Sequence, residues 1–297
     1  MKKAQILHNP NAGKGEYTKK ELIAIVEAQG YDCGYSSTKE KGWKDMDDDV
    51  DFLILAGGDG TVRKIVVKLL DKEEGKNPPI ALLPLGTANN ISKALGINGH
   101  AKEIISNLDK DKKKKFDTGK IRGLKEDMLF LESFGYGIFP ELMKLMKEKP
   151  VENAETPEDE IKEAQQRVHD IILNHKAEEF LIKIDGMEHN GKYLMAEVMN
   201  ISSIGPNMGL SPHSDPGDGE FEVVLIPEHQ REEFASYISY KINGEEKNYI
   251  PLIVKGSEIS IDTAAELFHI DDELIESQKP GKIIIKPNPG MIEFLVQ

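Results

Sequence analysis

Three segments rich in glycine, asparagine and threonine hold the residues of this chain best suited to chemistry. They are Asn9-Pro10-Asn11-Ala12-Gly13-Lys14-Gly15, Gly57-Gly58-Asp59-Gly60-Thr61 and Gly86-Thr87-Ala88-Asn89-Asn90. Each stands between a predicted strand and a predicted helix, where backbone N–H groups and the helix dipole attract phosphate. Glycine lets the backbone approach phosphate oxygens closely. Any one segment could be a simple tight turn, but the three together predict a triphosphate site.

Asp59 makes the second of these segments more specific. The Walker pattern is excluded because it needs glycine where His8 stands and Ser or Thr where Gly15 stands. The dinucleotide fingerprint is excluded because Arg63 occupies the position of its third small residue. A carboxylate beside phosphates is repulsive unless it holds Mg²⁺ or takes a proton from an attacking hydroxyl. Asp59 is therefore predicted to have a chemical role, either holding a metal ion or accepting a proton.

The elements around these segments alternate between short apolar runs and amphipathic patterns, which is typical of parallel βα units. In such a sheet the loops that leave the carboxyl ends of the strands share one edge, where ligands bind. The predicted strands are Ala4–Leu7, Cys33–Ser37, Phe52–Ala56 and Ile80–Leu83, and the predicted helices include Tyr17–Ala28 and Ile91–Leu95.

The apolar period changes from about 3.6 to 2 after the run Lys112–Lys115. We therefore predict an α/β domain over residues 1–116 and a mostly β, sandwich-like domain over 117–297, whose last residues could return to the first domain. One helix is predicted over Glu158–His175. The lysine run is interpreted as a solvated loop between the domains, with local docking on phospholipid headgroups as the alternative.

Composition bounds the class of protein. The 38 basic and 52 acidic residues give a net charge of −14, which disfavours binding to nucleic acid. A single cysteine, Cys33, fits the reducing cytoplasm. Because no apolar run approaches the roughly 18 residues of a membrane span, any lipid must be met at the bilayer surface by peripheral contact. Oligomeric state is not encoded in any pattern that we can read.

The ordered motifs resemble those of the diacylglycerol kinase catalytic-domain family, a distant relative of NAD kinases and phosphofructokinases. Asn9–Gly13, Gly57–Thr61 and Pro84–Asn89 match three family loops, and 117–121 and 134–137 match further positions. The resemblance implies a nucleotide-binding α/β domain, a C-terminal β-sandwich, ATP and Mg²⁺, with Asp59 central to phosphoryl transfer. The ATP contacts that it implies are Asn9, Gly13, Lys14, Thr38, Gly57, Gly58, Gly60, Thr61 and Thr87.

Two C-terminal segments extend the resemblance. Asp215, Asp218 and Glu220 lie in a segment similar to a family loop that holds a structural Mg²⁺, although a solvated acidic turn is the alternative. Glu273, after Asp271 and Asp272, stands where the family has its proton acceptor. The alternative for Glu273 is an exposed turn carboxylate.

The chain departs from the family at several positions. Arg63-Lys64 replaces the common Asn-Glu, Asn90 and Lys93 stand where Asp and Arg are common, and Asp272 replaces a glycine. The expected activity is phosphoryl transfer from MgATP to a lipid hydroxyl. A kinase of a soluble hydroxyl compound and a binding protein that has lost catalysis are the alternatives. His213 and His269 are interpreted as loop or surface residues.

Overall fold

The computed structural model describes residues 1–44, 49–71, 77–108, 112–151, 154–245, 247–277 and 281–297. Within it the chain forms two compact units. The first unit comprises Met1–Phe116 and Gly290–Gln297, and the second unit comprises Asp117–Pro289.

The first unit is an α/β fold whose strands run parallel. Its elements are β1 (Lys3–His8), α1 (Lys19–Glu27), β2 (Asp32–Ser37), β3 (Phe52–Gly57), α2 (Asp59–Leu70), β4 (Ile80–Pro84), α3 (Asn90–Ala94) and α4 (Ala101–Ser106). The sheet order is β2-β1-β3-β4, with parallel pairing throughout. All six residues of β3 are buried, as expected for a central parallel strand. The predicted α/β domain is thus confirmed.

Local signals explain where the helices begin. Helix α1 starts after Thr18, because Thr18 Oγ1 accepts from Glu21 N at 3.3 Å while Glu21 Oε2 accepts from Thr18 N at 2.8 Å. The sequence prediction had placed this start at Tyr17, one residue before the cap. Helix α2 begins directly after Gly58, so the glycine turn forms the N-terminal end of a 12-residue helix.

The second unit is a β-sandwich with helices packed on one side. Its elements are β5 (Lys113–Arg122), β6 (Met128–Phe130), β7 (Ser133–Gly137), α5 (Ile138–Glu148), α6 (Pro157–Asn174), β8 (Glu178–Ile184), β9 (Met187–Glu188), β10 (Gly191–Met199), β11 (Ser203–Ile204), β12 (Met208–Gly209), β13 (Phe221–Pro227), α7 (Arg231–Ile242), β14 (Leu252–Gly256), β15 (Ile259–Thr263), β16 (Leu267–Ile270), β17 (Glu273–Glu276) and β18 (Ile283–Leu295). Strands β5 and β18 each continue into the first unit. The predicted sandwich is confirmed.

Two apolar clusters form the cores of the second unit. One lies inside the sandwich and includes Phe134, Tyr136 and Phe268. The other lies between the sheet and helices α5, α6 and α7, where Leu142 and Phe234 are buried. Several strands therefore have both faces covered, so their residues on either face are buried.

The lysine run is not a loop, contrary to the sequence prediction. Strand β5 begins at Lys113, and Lys113 Nζ lies 3.0 Å from Glu293 Oε2 of β18. Burial in β5 explains the change, because Phe116 is fully buried while Lys113 and Lys115 of the same strand are exposed. No helix in the described ranges is both long and apolar enough to cross a membrane.

Candidate active site

The loops that follow β1, β3 and β4 meet within the first unit. Asn9 Nδ2 donates to Thr61 Oγ1 at 3.1 Å, which ties the first loop to the second. Leu85 N donates to Gly57 O at 3.0 Å, which ties the third loop to the second. Gly13 has a φ of 59°, and a Cβ there would lie 3.1 Å from Leu85 O. The three loops therefore form one cluster at the carboxyl ends of the parallel strands.

Two glycines touch backbone to backbone at the centre of this cluster. A Cβ on Gly58 would lie 2.9 Å from Gly86 Cα, and a Cβ on Gly86 would come closer still to Gly58 Cα. Gly57 has a separate task, because a Cβ there would lie 2.6 Å from Thr61 Cβ. A side chain at Gly58 or Gly86 would separate the loops, and one at Gly57 would displace Thr61, so the backbone surface is built for close approach.

Asp59 links the N-terminal ends of two helices. It is the first residue of α2, and its Oδ2 and Oδ1 accept from Asn90 N at 2.9 Å and Ile91 N at 3.1 Å, at the start of α3. A carboxylate is favoured at such a place by the dipoles of both helices. The sequence had predicted a chemical role for Asp59 and had missed this structural one. The amides of Asn90 and Ile91 are engaged by Asp59 and are not donors reserved for phosphate.

Asn89 organises the third loop. Its φ is 52°, its Oδ1 accepts from Gly86 N at 2.8 Å, and its Nδ2 donates to Gly86 O at 2.6 Å. These bonds hold the loop in a tight turn, so the Asn89 side chain stabilises the loop backbone. Thr87 is exposed at the tip of the same loop, and Gly60 lies in the first turn of α2.

The remaining predicted ATP contacts lie beside the first loop. Lys14 belongs to the short 3₁₀ turn Ala12–Gly15, and its side chain is outside the described part of the structure. Thr38 is buried directly after β2, where its N donates to His8 O at 2.8 Å. The second strand, weakly defined in the sequence, thus brings Thr38 next to the residue that precedes Asn9.

One departure from the family pattern has a local structural role. Lys64 Nζ lies 5.0 Å from the centroid of the Trp43 ring and 3.5 Å from Thr38 O. A lysine over an indole face gains a cation–π attraction. Lys64 therefore ties helix α2 to the segment after β2, where Trp43 is buried.

Glu273 is held in the second unit by a two-residue hairpin. Strands β16 and β17 pair with Ile270 opposite Glu273, so Asp271 and Asp272 form the turn. Asp271 has a φ of 51°, and its carboxylate accepts from Leu131 N at 3.0 Å, from Glu132 N at 2.7 Å and from Ser133 N at 3.2 Å. The turn before Glu273 is thereby fixed to the residues that precede β7.

A lysine side chain pairs with the carboxylates of the predicted metal loop. Lys255 Nζ lies 2.7 Å from Asp218 Oδ2 and 3.3 Å from Glu220 Oε2. The hydrogen bond to Asp218 raises the pKa of Lys255 to about 12. Asp215 and Asp218 each accept from a backbone amide of the same loop, at 3.2 Å from Gly217 N and 3.0 Å from Glu220 N. Among the described residues no group of three or more His, Cys, Asp or Glu side chains could hold a metal ion, so these residues as arranged do not fit a structural Mg²⁺.

The sequence interpretation missed a buried ion pair. His269 Nε2 lies 2.7 Å from Glu197 Oε1, and both side chains are fully buried. The prediction that His269 is a loop or surface residue was wrong, because β16 is covered by helix α5, whose Phe139 ring is 4.6 Å from the His269 ring. The signal that could have found the pair is Glu197 itself, the single charged residue in the apolar run 193–201.

Two family descriptions match this chain. Residues 3–121 match the diacylglycerol kinase catalytic domain, and residues 149–296 match the YegS C-terminal NAD kinase beta sandwich-like domain. The first match assigns residues 3–121 to the diacylglycerol kinase catalytic-domain family. This match confirms the resemblance that the motifs indicated.

Curated relatives and solved structures agree with this family. The chain is 24% identical over 304 residues to a diacylglycerol kinase of Bacillus subtilis strain 168, covering 96% of this chain and 93% of the relative. It is 23% identical over 284 residues to one of Staphylococcus aureus strain MRSA252, covering 92% and 86%. A crystal structure of a diacylglycerol kinase from Bacillus anthracis str. Sterne shares the fold, with a TM-score of 0.72, 23% identity and coverage of 100% of this chain and 97% of that one.

Proposed function

We propose that this protein is a lipid kinase that transfers the γ-phosphoryl group of MgATP to the hydroxyl of a lipid such as diacylglycerol. The observation that carries the proposal is the loop cluster in the first unit, where Gly58 and Gly86 meet backbone to backbone and Asn9 is tied to Thr61. Exposed backbone at helix N-terminal ends is what a polyphosphate needs.

The residues of this cluster divide the work of nucleotide binding. The backbone around Gly13, Gly57, Gly58 and Gly60, with the hydroxyls of Thr61 and Thr87, would donate to phosphate oxygens, and Lys14 would add positive charge. Asn9 and Thr38 would border the nucleotide. When bound, Mg²⁺ and ATP supply charge neutralisation and the phosphoryl group. Asp59, anchored by two amides, would stand beside the phosphates as a fixed carboxylate able to hold the Mg²⁺.

The acceptor hydroxyl needs a base, and Glu273 is our proposed one. Removal of the hydroxyl proton by a positioned carboxylate fits the requirement of general base catalysis. Glu273 is exposed at the start of β17, while the turn behind it is fixed by Asp271. The fixed turn supports the proposal, because it holds the exposed Glu273 carboxylate at a defined position.

A cavity in the second unit favours a lipid over a soluble acceptor. It has a volume of about 640 Å³, with Met128, Tyr136, Phe268 and Ile275 on its apolar walls and the charged residues Lys125, Glu126 and Glu276 also among its lining residues. Ile275 follows Glu273 by two residues on β17, so both side chains lie on the same face of the strand. An acyl chain is the kind of ligand that such apolar walls accommodate. We therefore propose a cytoplasmic protein that meets its lipid by peripheral contact with the membrane.

One assay separates the proposed function from its alternatives. The pure protein is incubated with labelled ATP, Mg²⁺ and mixed micelles of diacylglycerols, monoacylglycerols, phosphatidylglycerol or sphingoid bases, with NAD in a parallel reaction. Labelled lipid supports the proposal. Labelled NADP alone would indicate a kinase of a soluble acceptor, and ATP binding without labelled product would indicate a binding protein.

Matched variants test the two proposed catalytic carboxylates. Asp59→Asn should reduce turnover at least 1,000-fold, although the asparagine side-chain oxygen can still accept one hydrogen bond from α3. Asp71→Asn, at the other end of α2, should leave turnover unchanged. Glu273→Gln should reduce kcat by about 100-fold, in the range of general base catalysis, whereas Glu266→Gln, at an exposed position just before β16, should not. Wild-type turnover in Asp59→Asn would refute the role of Asp59, and an unchanged rate in Glu273→Gln would move the base elsewhere.

A further inference from the structure

Three neighbouring strands of the second unit place a buried row of residues beneath helix α5. Gly135 of β7 lies in register with Glu197 of β10 on one side and with His269 of β16 on the other. The contact between Glu197 and His269 therefore crosses an intervening strand. It is possible because the middle position is glycine: a Cβ on Gly135 would lie 2.5 Å from Glu197 Cδ and closer still to Glu197 Oε2.

The hydrogen bonds of His269 run toward the turn that precedes Glu273. His269 Nδ1 lies 2.9 Å from the main-chain carbonyl oxygen of Asp271, which can only accept, so Nδ1 carries the proton. On the other side Nε2 lies 2.7 Å from Glu197 Oε1. Burial lowers the pKa of His269, but the charge and hydrogen bond of Glu197, together with the carbonyl and carboxylate of Asp271, outweigh burial and leave that pKa raised.

Stability alone does not account for this pair. Burying two charges costs more than their attraction commonly returns, and apolar residues of similar volume often replace such a pair without loss. Glu197 Oε2 has no hydrogen-bond partner among the described residues, so the pair is not even fully satisfied. What the pair does supply is a defined donor to the carbonyl of Asp271.

We propose that Glu197 and His269 are positioning residues for Glu273. Glu197 orients the His269 ring, His269 holds the Asp271 carbonyl, and the Asp271 carboxylate holds the amides of residues 131–133. The turn is thus held at both its main chain and its side chain. The catalytic part of this inference rests on the proposed function, while the effect on the turn does not.

The discriminating variant replaces both members by apolar residues, Glu197→Met with His269→Leu. Its thermal midpoint should equal or exceed that of the wild type, because neither charge of the pair remains buried. Hydrogen exchange of the amides of residues 131–133 and 273 should accelerate at least 10-fold, while the amides of β13 and β14 stay unchanged. Unchanged exchange at residues 131–133 and 273 would overturn the inference, whether or not the protein phosphorylates lipid.

Two further variants separate positioning from charge. Glu197→Gln can still donate to Nε2 and so keeps the proton on Nδ1, and it should retain slow exchange and kcat within about 3-fold of wild type. If Glu197→Gln lost slow hydrogen exchange and kcat as much as the apolar double variant does, the role of the Asp271 carbonyl would be contradicted. Tyr193→Phe, which removes one hydrogen bond elsewhere on β10, is the matched control and should change neither quantity.

Turnover gives a test that a purely structural role would not pass. In the apolar double variant kcat should fall by roughly 10- to 100-fold, the range for a displacement of about 1 Å, while KM for ATP stays within 2-fold. In a Glu273→Gln background the same two changes should cost nothing further. An equal loss in both backgrounds would show that the pair acts by another route, and a wild type without lipid kinase activity would refute the proposed function while the exchange experiment still decides the inference.

Discussion

The contact between Gly58 and Gly86 predicts a large penalty for a single methyl group. In Gly86→Ala the new Cβ would lie 2.8 Å from Asn89 Oδ1 and nearer still to Gly58 Cα. Carbon atoms pack at about 3.5–4.0 Å, and Gly58 Cα is backbone that cannot rotate away. The loops after β3 and β4 must therefore separate by about 1 Å.

That separation also strains the hydrogen bonds that cross the contact. Asn89 Oδ1 would lose its position on Gly86 N, and Asp59 would move relative to the amides of Asn90 and Ile91. Overpacking of this kind costs about 1–3 kcal/mol, and one weakened hydrogen bond adds about 1 kcal/mol. We expect a total near 3 kcal/mol and a thermal midpoint lower by roughly 6–12 °C. ATP affinity, measured by titration calorimetry, should fall at least 10-fold.

Gly34→Ala is the matched control in the same unit. A Cβ there would meet Gln5 Cγ at 3.8 Å and Ala4 O at 3.9 Å, which are ordinary contacts. Its φ is not positive, so alanine is unstrained and should be neutral or stabilising by about 0.4–1 kcal/mol. If Gly86→Ala matched Gly34→Ala in thermal midpoint and ATP affinity, the reasoning from the loop contact would be refuted.

Two predictions concern other charged and titratable groups. Because Lys255 lies between Asp218 and Glu220, EDTA should not change the thermal midpoint of the wild type. In Lys255→Ala the two carboxylates lose this cation, so its thermal midpoint should rise with added Mg²⁺. A wild-type thermal midpoint lowered by EDTA would contradict this prediction. Burial raises the pKa of Cys33 to about 11 from 9.0, with Glu27 and Asp32 contributing, so iodoacetamide at pH 8 should modify the native thiol roughly 100-fold more slowly than the urea-unfolded thiol. Because the folded pKa is the higher one, the stability linked to Cys33 is fully present below pH 9 and is lost as the pH rises through 11.

The first unit could be predicted well because its local signals agree with its fold. The apolar run at β3 predicts a buried parallel strand, and the glycine turn after it predicts the start of a helix. What the sequence could not give is the link between loops, such as Asn9 with Thr61, because it joins residues far apart in the chain. The structural role of Asp59 was hidden for the same reason.

The second unit was predicted only in outline, since its helices and covered strands lack a clear period. Helix α7 carries Phe234, Tyr237 and Ile238 with little amphipathic contrast, and it was not predicted. Strand β16 alternates between Phe268 and Ile270 on one face and His269 on the other. Alternation normally marks the second face as exposed. Here helix α5 covers that face, so the same pattern conceals a buried histidine.

The turn before Glu273 shows how the chain tolerates one of its departures from the family. Glycine is favoured in a turn where φ is positive. This chain has Asp272 where the family has glycine, so a positive φ at that position would distort the turn. The positive φ lies at Asp271, not at Asp272. Asp271 tolerates that conformation because its carboxylate is held by three backbone amides and its own N donates to Ser133 O at 2.9 Å. The residue with the positive φ is thus the one that backbone amides hold in place. Position 272 does not need that conformation, so it accommodates a side chain without changing the position of Glu273.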